Sequence, residues 1–307
     1  MGRSLCEGFP AARDAFDTAA AASGLDLARL CWEGPGERLA ETEVTQPALL
    51  AVSAAAWAAL VEAGVRPFAA AGLSLGEYGA LLAAGAASLP DLARLVHLRG
   101  RFMQEAVPVG VGAMAAVLGL EGSGVADLCR LAVEAVRADG GPEPTGGWVL
   151  APANWNCPGQ VVISGHAEAV RRAVDLGRGV GARRVQVLPV SAPFHCPLML
   201  PAQRRLEPEV AALPLRAPAI PVVANVHARA LGSVAEVRDA LVRQVSSPVR
   251  WEESVRALGA LGCDAFAEVG PGRTLSGFIS RILPGARTFP VGDPDGVRAC
   301  VAAVGAA

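Results

Sequence analysis

Lysine is absent from this sequence, so all 27 of its basic side chains are arginine. Together with heavy alanine and glycine usage, that reflects a GC-rich coding sequence more than a function. No sign of charge dominates either, because 29 acidic residues leave a formal net charge of −2. Such a balance offers no electrostatic footprint for a phosphate backbone, and a nucleic-acid partner is not expected. Paired cysteines are missing. The seven cysteines (Cys6, Cys31, Cys129, Cys157, Cys196, Cys263, Cys300) are odd in number and never in CxxC spacing. They support neither a disulfide framework nor a zinc site, and they fit a reducing cytoplasm. Long hydrophobic runs are missing too. The alanine-rich stretch from Pro47 to Leu60 falls short of the roughly 18–20 residues that a membrane span needs. The N-terminus has no basic segment leading into an apolar one, so neither a membrane span nor a secretory signal is expected.

What remains is a chain built for a core. Of 307 residues, 52% are hydrophobic and 18% charged, which suits a well-packed protein of one large or two modest domains. Helical spacing runs from Ala11 to Leu30, and Gln46 to Ala63 reads as a helix buried on most faces. The short apolar run Phe68 to Gly72 reads as a strand. It meets Ser74 and helices from near Leu75 and from Leu89 to Glu105. From Ala113 to Pro189 the rhythm is β-α-β-β-α-β, the pattern of a ferredoxin-like unit, with Asp139 to Gly147 as a loop inside it. Beyond it a helix from Pro197 to Ala212, a strand from Pro221 to Val226 and a helix from Val234 to Val245 are expected. Trp251–Gly262 (helix), Asp264–Val269 (strand), Gly272–Ile282 (helix) and Pro294–Val304 (helix) complete the chain. Strands alternating with helices favour a parallel sheet covered on both faces, with the small unit inserted into it.

The sharpest chemical signal is Gly72-Leu73-Ser74-Leu75-Gly76, between a strand and a helix. A nucleophilic serine must project from a sharp turn, and glycines let neighbouring backbone pack close to it. The turn also aims backbone N–H groups at a developing oxyanion. As a bare pattern it is only moderately specific. A serine hydroxyl needs a base, and the four histidines are His97, His166, His195 and His227. His195, where the chain returns from the inserted unit, can reach Ser74 from a distant part of the sequence, although a capping or surface role explains it equally. His97 lies within a helix, His166 suits a helix cap, and His227, just after a strand, is the weaker rival.

Arg99, in Leu98-Arg99-Gly100-Arg101, has the planar fork that clamps a carboxylate by two parallel hydrogen bonds. A solvated helix face explains such an arginine too, and Arg101 is left to that explanation. Gln46 before a proline, Asn225 ending a strand and Gln244 near a helix end are polar where no polar residue is required. Strand-end polar groups often face the site in α/β proteins. The turn Glu268 to Gly272 reads as a connection without required chemistry.

Taken together, these segments resemble the malonyl-CoA:acyl-carrier-protein transacylases of fatty acid synthesis and the related acyltransferase domains of polyketide synthases. The resemblance runs from Met1 to about Ala302. It rests on Thr45-Gln46-Pro47-Ala48, Gly72 to Tyr78, Arg99 to Gln104, Ala192 to Met199, Pro248-Val249-Arg250-Trp251 and Glu268 to Gly272. It implies a parallel-sheet α/β-hydrolase-like core over residues 1–112 and 190–307, with a ferredoxin-like subdomain over 113–189. Ser74 would be the nucleophile and His195 its base, oriented by the region of Gln244 mainly through a backbone carbonyl. Arg99 would hold the malonyl carboxylate, and Leu75 would give an oxyanion N–H. Gln46, Met103, Phe194, Asn225 and Gln244 would bind substrate around them, with Phe194 matching malonyl-selecting members.

The substrates implied are malonyl-CoA and a phosphopantetheinylated acyl carrier protein, with no cofactor and no metal, in a monomer of the cytoplasm. Members often have histidine where Leu73 stands. They also normally open with a β-strand and a Gly-Gln-Gly-x-Gln loop, whereas Met1 to Leu5 matches the family's segment just after that loop. The expectations for function are therefore malonyl transfer first, with a carrier-protein thioester hydrolase or a low-activity pseudoenzyme as the alternatives.

Overall fold

The structure, a computed structural model, describes residues 1–190 and 192–304. Ser191, the first residue of the segment read around His195, lies outside the described residues. Helices open the chain: α1 (Arg3–Gly8), α2 (Pro10–Ser23), α3 (Leu27–Trp32), α4 (Gly36–Ala40) and α5 (Thr42–Glu62). The strand β1 (Ala70–Ala71) then leads through the serine turn to α6 (Gly76–Ala83) and α7 (Leu89–Glu105). The middle contains β2 (Gly112–Leu118), α8 (Gly122–Ala138), β3 (Leu150–Cys157), β4 (Gln160–His166), α9 (Ala167–Gly177) and β5 (Arg184–Val187). A 3₁₀ turn over Pro197–Met199 precedes α10 (Leu200–Ala212), β6 (Val222–Val223), α11 (Val234–Gln244) and α12 (Trp251–Ala260). The last elements are β7 (Ala265–Val269), α13 (Thr274–Ile282), β8 (Arg287–Val291) and α14 (Pro294–Val304).

Helix α5 is apolar around its whole circumference, which a helix tolerates only when packed on all sides. It is covered by α2 and α7, and Leu50, Ala51, Ala55, Ala59 and Leu60 all lie in the main core. Its length corrects the shorter run read from the sequence. At 21 residues the helix is long and apolar enough to cross a membrane by length and composition, but 67% of that window is buried inside the fold. Gly100 brings α7 against the start of α5: a Cβ there would stand 2.7 Å from the Thr42 carbonyl oxygen.

The strands form three groups. β3-β4-β2-β5 is an antiparallel sheet in that order. Helices α8 and α9 cover it over a separate core of Val125, Leu128, Ile163 and Val170. The other strands make two parallel pairs, β1 with β6 and β7 with β8. This differs from the single parallel sheet expected. Among the described residues the two pairs are not hydrogen-bonded to one another. An apolar cavity of about 660 Å³ is lined by residues of both β1 and β7, together with Leu50, Trp57 and Leu275.

The expected strands at 68–72 and 221–226 shrink to Ala70–Ala71 and Val222–Val223. At their ends the backbone turns away to bond elsewhere, as when Ala224 N–H donates to the Arg229 carbonyl. The strand β8 was not expected. Its Pro290 cannot donate to a ladder, but among the described residues it pairs only with β7, on one edge.

Candidate active site

The serine turn is built by close backbone approach. A Cβ on Gly72 would lie 1.9 Å from the Gly76 carbonyl carbon, so no other residue fits there. Gly76 is different, since a Cβ there meets nothing within 4 Å. Only the first of the two flanking glycines is sterically required. Ser74 itself takes φ +53°, the left-handed region, which a non-glycine residue occupies at a cost of about 1–3 kcal/mol. Such a conformation persists only when its surroundings hold it, and here they do. Ser74 N–H donates to Asn225 Oδ1 at 2.6 Å, and the Ser74 carbonyl accepts from Gln244 Nε2 at 3.0 Å. Asn225 Nδ2 also donates to the Gly72 carbonyl at 2.8 Å. One asparagine, in the turn two residues beyond β6 and not on the strand as expected, therefore grips both sides of the bend.

His195 also has a left-handed backbone, φ +58°. It is buried (4% exposed), and its Nε2 stands 2.7 Å from Ser74 Oγ. The Nδ1 lies 2.9 Å from the backbone carbonyl of Gln244. A carbonyl can only accept, so Nδ1 carries the ring proton and Nε2 offers a lone pair to the serine hydroxyl. Burial, and then the nearby Arg99 charge, push the imidazole down to about 4. It is neutral near pH 7 and able to accept a proton.

Arg99 reaches the same oxygen from α7. Its Nη2 donates to Ser74 Oγ at 3.1 Å and to Gln244 Oε1 at 2.9 Å, and its Nη1 donates to Gln46 Oε1 at 2.5 Å. The guanidinium lies 5.5 Å from the Tyr78 ring centroid and is 1% exposed. Burial pushes its pKa down, although an arginine stays charged in proteins. Gln46 Nε2 is 3.6 Å from the Met103 sulfur. A cavity of about 450 Å³ opens onto this cluster, lined among others by Gln46, Ser74, Leu75, Arg99, Met103 and Phe194. The larger apolar cavity touches the turn at Gly72, Leu73, Leu75 and Gly76 but includes none of Ser74, His195 and Arg99. Ser74 and Arg99 line the smaller one. A hydroxyl between a bare imidazole nitrogen and a fixed cation can be acylated, and the cation can meet an acyl carboxylate.

The acyl transferase domain profile matches residues 1–283. This chain belongs to the acyl transferase family. The acyltransferase is 43% identical over 302 residues to the malonyl CoA-acyl carrier protein transacylase of Escherichia coli K12, covering 98% of this chain and 94% of that one. It is 45% identical to the solved malonyl-CoA:acyl carrier protein transacylase of Xanthomonas oryzae, with a TM-score of 0.92 and coverage of 99% and 93%. A malonyl-transacylase solved in complex with its type II polyketide acyl carrier protein is 39% identical, with the same TM-score and coverage of 99% and 94%.

The acyltransferase's remaining candidates separate cleanly. Asn225 and Gln244 are fully buried (0% exposed) behind the turn. They hydrogen-bond Ser74, His195 and Arg99 and do not line the cavity. His97 Nδ1 lies 2.7 Å from the Ser23 carbonyl, and His227 meets Asp239 away from the site. His166 precedes α9 but makes no side-chain cap, because its Nδ1 accepts from Val149 N–H at 2.9 Å. Arg101 faces Glu105 and the Phe102 ring. Among the described residues no group of His, Cys, Asp and Glu is placed to hold a metal ion.

Two carboxylates were missed by the sequence reading. Glu268 caps α13, accepting from Leu275 N–H at 2.9 Å and Ser276 N–H at 2.7 Å. Glu77 is completely buried, and its Oε2 accepts from Asn225 N–H at 2.7 Å. The available signal was an acid inside the apolar helix sequence GEYGALLA.

Proposed function

We propose that this acyltransferase moves a malonyl group from malonyl-CoA to the phosphopantetheine thiol of an acyl carrier protein, through a malonyl ester on Ser74. The observation that carries the reading is the 2.7 Å contact of Ser74 Oγ with His195 Nε2, with Arg99 on the same oxygen. Ser74 Oγ attacks the thioester carbonyl as His195 Nε2 takes the hydroxyl proton. The Gln244 carbonyl bonds to Nδ1–H throughout and steadies the imidazolium. The oxyanion meets the N–H of Leu75 at the N-terminus of α6, where the helix dipole favours negative charge. Collapse breaks the C–S bond, and the imidazolium proton passes to the departing coenzyme A sulfur. The carrier protein's thiol then attacks the serine ester by the same steps reversed, leaving Ser74 free.

Arg99 pairs with the distal malonyl carboxylate, while Gln46, Met103 and Phe194 shape the cavity for the three-carbon unit. The chemistry asks for no cofactor and no metal. We place the parallel strand pairs in an α/β-hydrolase-like core over residues 1–112 and 190–307, with 113–189 as a ferredoxin-like subdomain. A monomer in a reducing cytoplasm suits the free thiols. The test is incubation with radiolabelled malonyl-CoA. Label should be held as an ester, be absent from Ser74→Ala, and leave rapidly on adding carrier protein. Discharge at the same rate into water alone would favour a thioester hydrolase instead.

A further inference from the structure

The buried cation and the buried acid of this site belong together. Arg99 makes no salt bridge among the described residues: its guanidinium partners are the neutral oxygens of Gln46, Gln244 and Ser74. An isolated buried charge is costly and calls for a counter-charge. Among the groups acting on Arg99, the one acid apart from the weakly acidic Tyr78 is Glu77. The two are joined by polar contacts. Arg99 donates to the Gln244 side chain, whose Nε2 lies 3.4 Å from Asn225 Oδ1, and Asn225 N–H donates to Glu77 Oε2.

Among the described residues Arg99 is the one charged group acting on this carboxyl. Of the elements packed against α6, α7 presents Arg99, β1 has no ionisable residue, and α5 carries acids only at its ends, Glu43 and Glu62. Tyr78 is its neighbour on α6, and burial holds that phenol protonated, up to about 12. His195 is held neutral. Among the described residues Glu77 Oε1 makes no direct hydrogen bond, although the Gln244 side chain lies close enough to act on the carboxyl. A proton can therefore settle on Oε1 without breaking the bond that Oε2 makes to Asn225.

We propose that Glu77 is the ionisable counter-charge to Arg99, and that it takes up a proton when an acyl group bearing a carboxylate occupies the arginine. The inference rests on the reading of Arg99 as the malonyl clamp. In the empty enzyme an ionised Glu77 balances the guanidinium. When the malonyl carboxylate arrives, a second anion shares the same buried cation, and Glu77 is neutralised by a proton from solvent. Net charge in the site is conserved, and no bond to carbon changes. Glu77 thus acts as a specificity-determining group, making carboxylated acyl groups sensitive to pH while neutral ones are not. Burial raises its pKa to about 7, which places the switch near neutral pH.

The test compares acylation of Ser74 by malonyl-CoA and by acetyl-CoA. Both release the same thiol, so any difference in proton balance belongs to the acyl carboxylate. In weakly buffered indicator dye above pH 7, the malonyl reaction should take up close to one more proton per site than the acetyl reaction. The ratio of malonyl to acetyl acylation rates should fall by up to about tenfold per pH unit above about 7. Glu77→Gln keeps an oxygen acceptor for Asn225 N–H, and it should flatten that ratio and remove the extra proton. Parallel pH profiles and equal proton balances for the two acyl groups in the wild type would overturn the proposal, whether or not the variant folds. Arg99→Ala separates the layers. If it leaves malonyl acylation intact, the clamp reading fails. If it removes malonyl preference while wild-type proton balances are equal, only the role of Glu77 fails.

Discussion

Two turns in this molecule share a plan, strand then tight turn then helix, with a glutamate close by. In the first, β1 leads through Gly72 to Leu75 into α6; in the second, β7 leads through Gly270 to Arg273 into α13. They solve the same problem in opposite ways. Glu268, at the end of β7, bonds to the first N–H groups of the helix that follows, so the second turn is capped by the strand that leads into it. The left-handed backbone there falls on glycine, at Gly270 and Gly272. In the first turn the left-handed residue is Ser74, and Glu77 reaches across to the chain at Asn225. A turn that only connects can put its strain on a residue without a Cβ. A turn that must display a hydroxyl cannot, so distant groups have to hold it.

Four substitutions test that contrast. Gly72→Ala should be the most damaging, because a Cβ 1.9 Å from main-chain carbon cannot be relieved by a side-chain shift. More than about 3 kcal/mol of stability should be lost, beyond the usual range for overpacking, as read by denaturant unfolding. Glu77→Gln comes next, through pH. The folded protein raises the Glu77 pKa from 4.5 to about 7, so its neutral form is favoured. Stability from this group is therefore fully present below pH 4.5 and is lost as pH rises through 7. Unfolding of wild type and Glu77→Gln at pH 5 and pH 8 should show the variant gaining on the order of 2 kcal/mol relative to wild type at the higher pH. A constant difference between the two would show that burial does not govern this carboxyl.

Glu268→Ala should cost about 1 kcal/mol, the usual worth of a helix N-terminal cap. Ser74 labelling should be unchanged, since the hydrogen bonds of Glu268 go to α13 and not to the serine turn. Gly76→Ala should shift stability by less than about 0.5 kcal/mol and leave a folded enzyme, as an added methyl there meets open space. A large loss at Gly76 would mean that the two glycines of the motif are equivalent after all.

The alternation of helices and strands was legible because apolar spacing marks it, and α5 and α7 stand close to where that spacing put them. The short helices α1 and α4 were not read, since five or six residues give too little periodicity, and the single helical run from Ala11 to Leu30 is in fact α2 and α3, parted at the left-handed Gly24. Nor was β8, whose Pro290 argues against a strand unless its neighbours on both sides are known. At the site, Ser74 stood out because its motif is local. His195, Asn225 and Gln244 were visible only as polar residues without a local purpose, and it takes the fold to bring them within hydrogen-bond reach of the turn. Glu77 and Glu268 escaped for a common reason. A carboxylate in sequence looks solvated by default, and only tertiary structure shows that one is sealed in and the other caps a helix.

The partner of His195 Nδ1 is a peptide carbonyl, contributed by the last residue of α11. No point mutation can delete such a group. Exchanging the Gln244 side chain would alter the grip on Ser74 and Arg99 while the imidazole stayed aligned, so orientation and clamping can be dissected separately. A carbonyl dipole also shelters a positive ring less well than a full negative charge would. In the proposed reaction a proton taken from Ser74 would therefore be retained less strongly by His195, which suits handing it on to a departing sulfur.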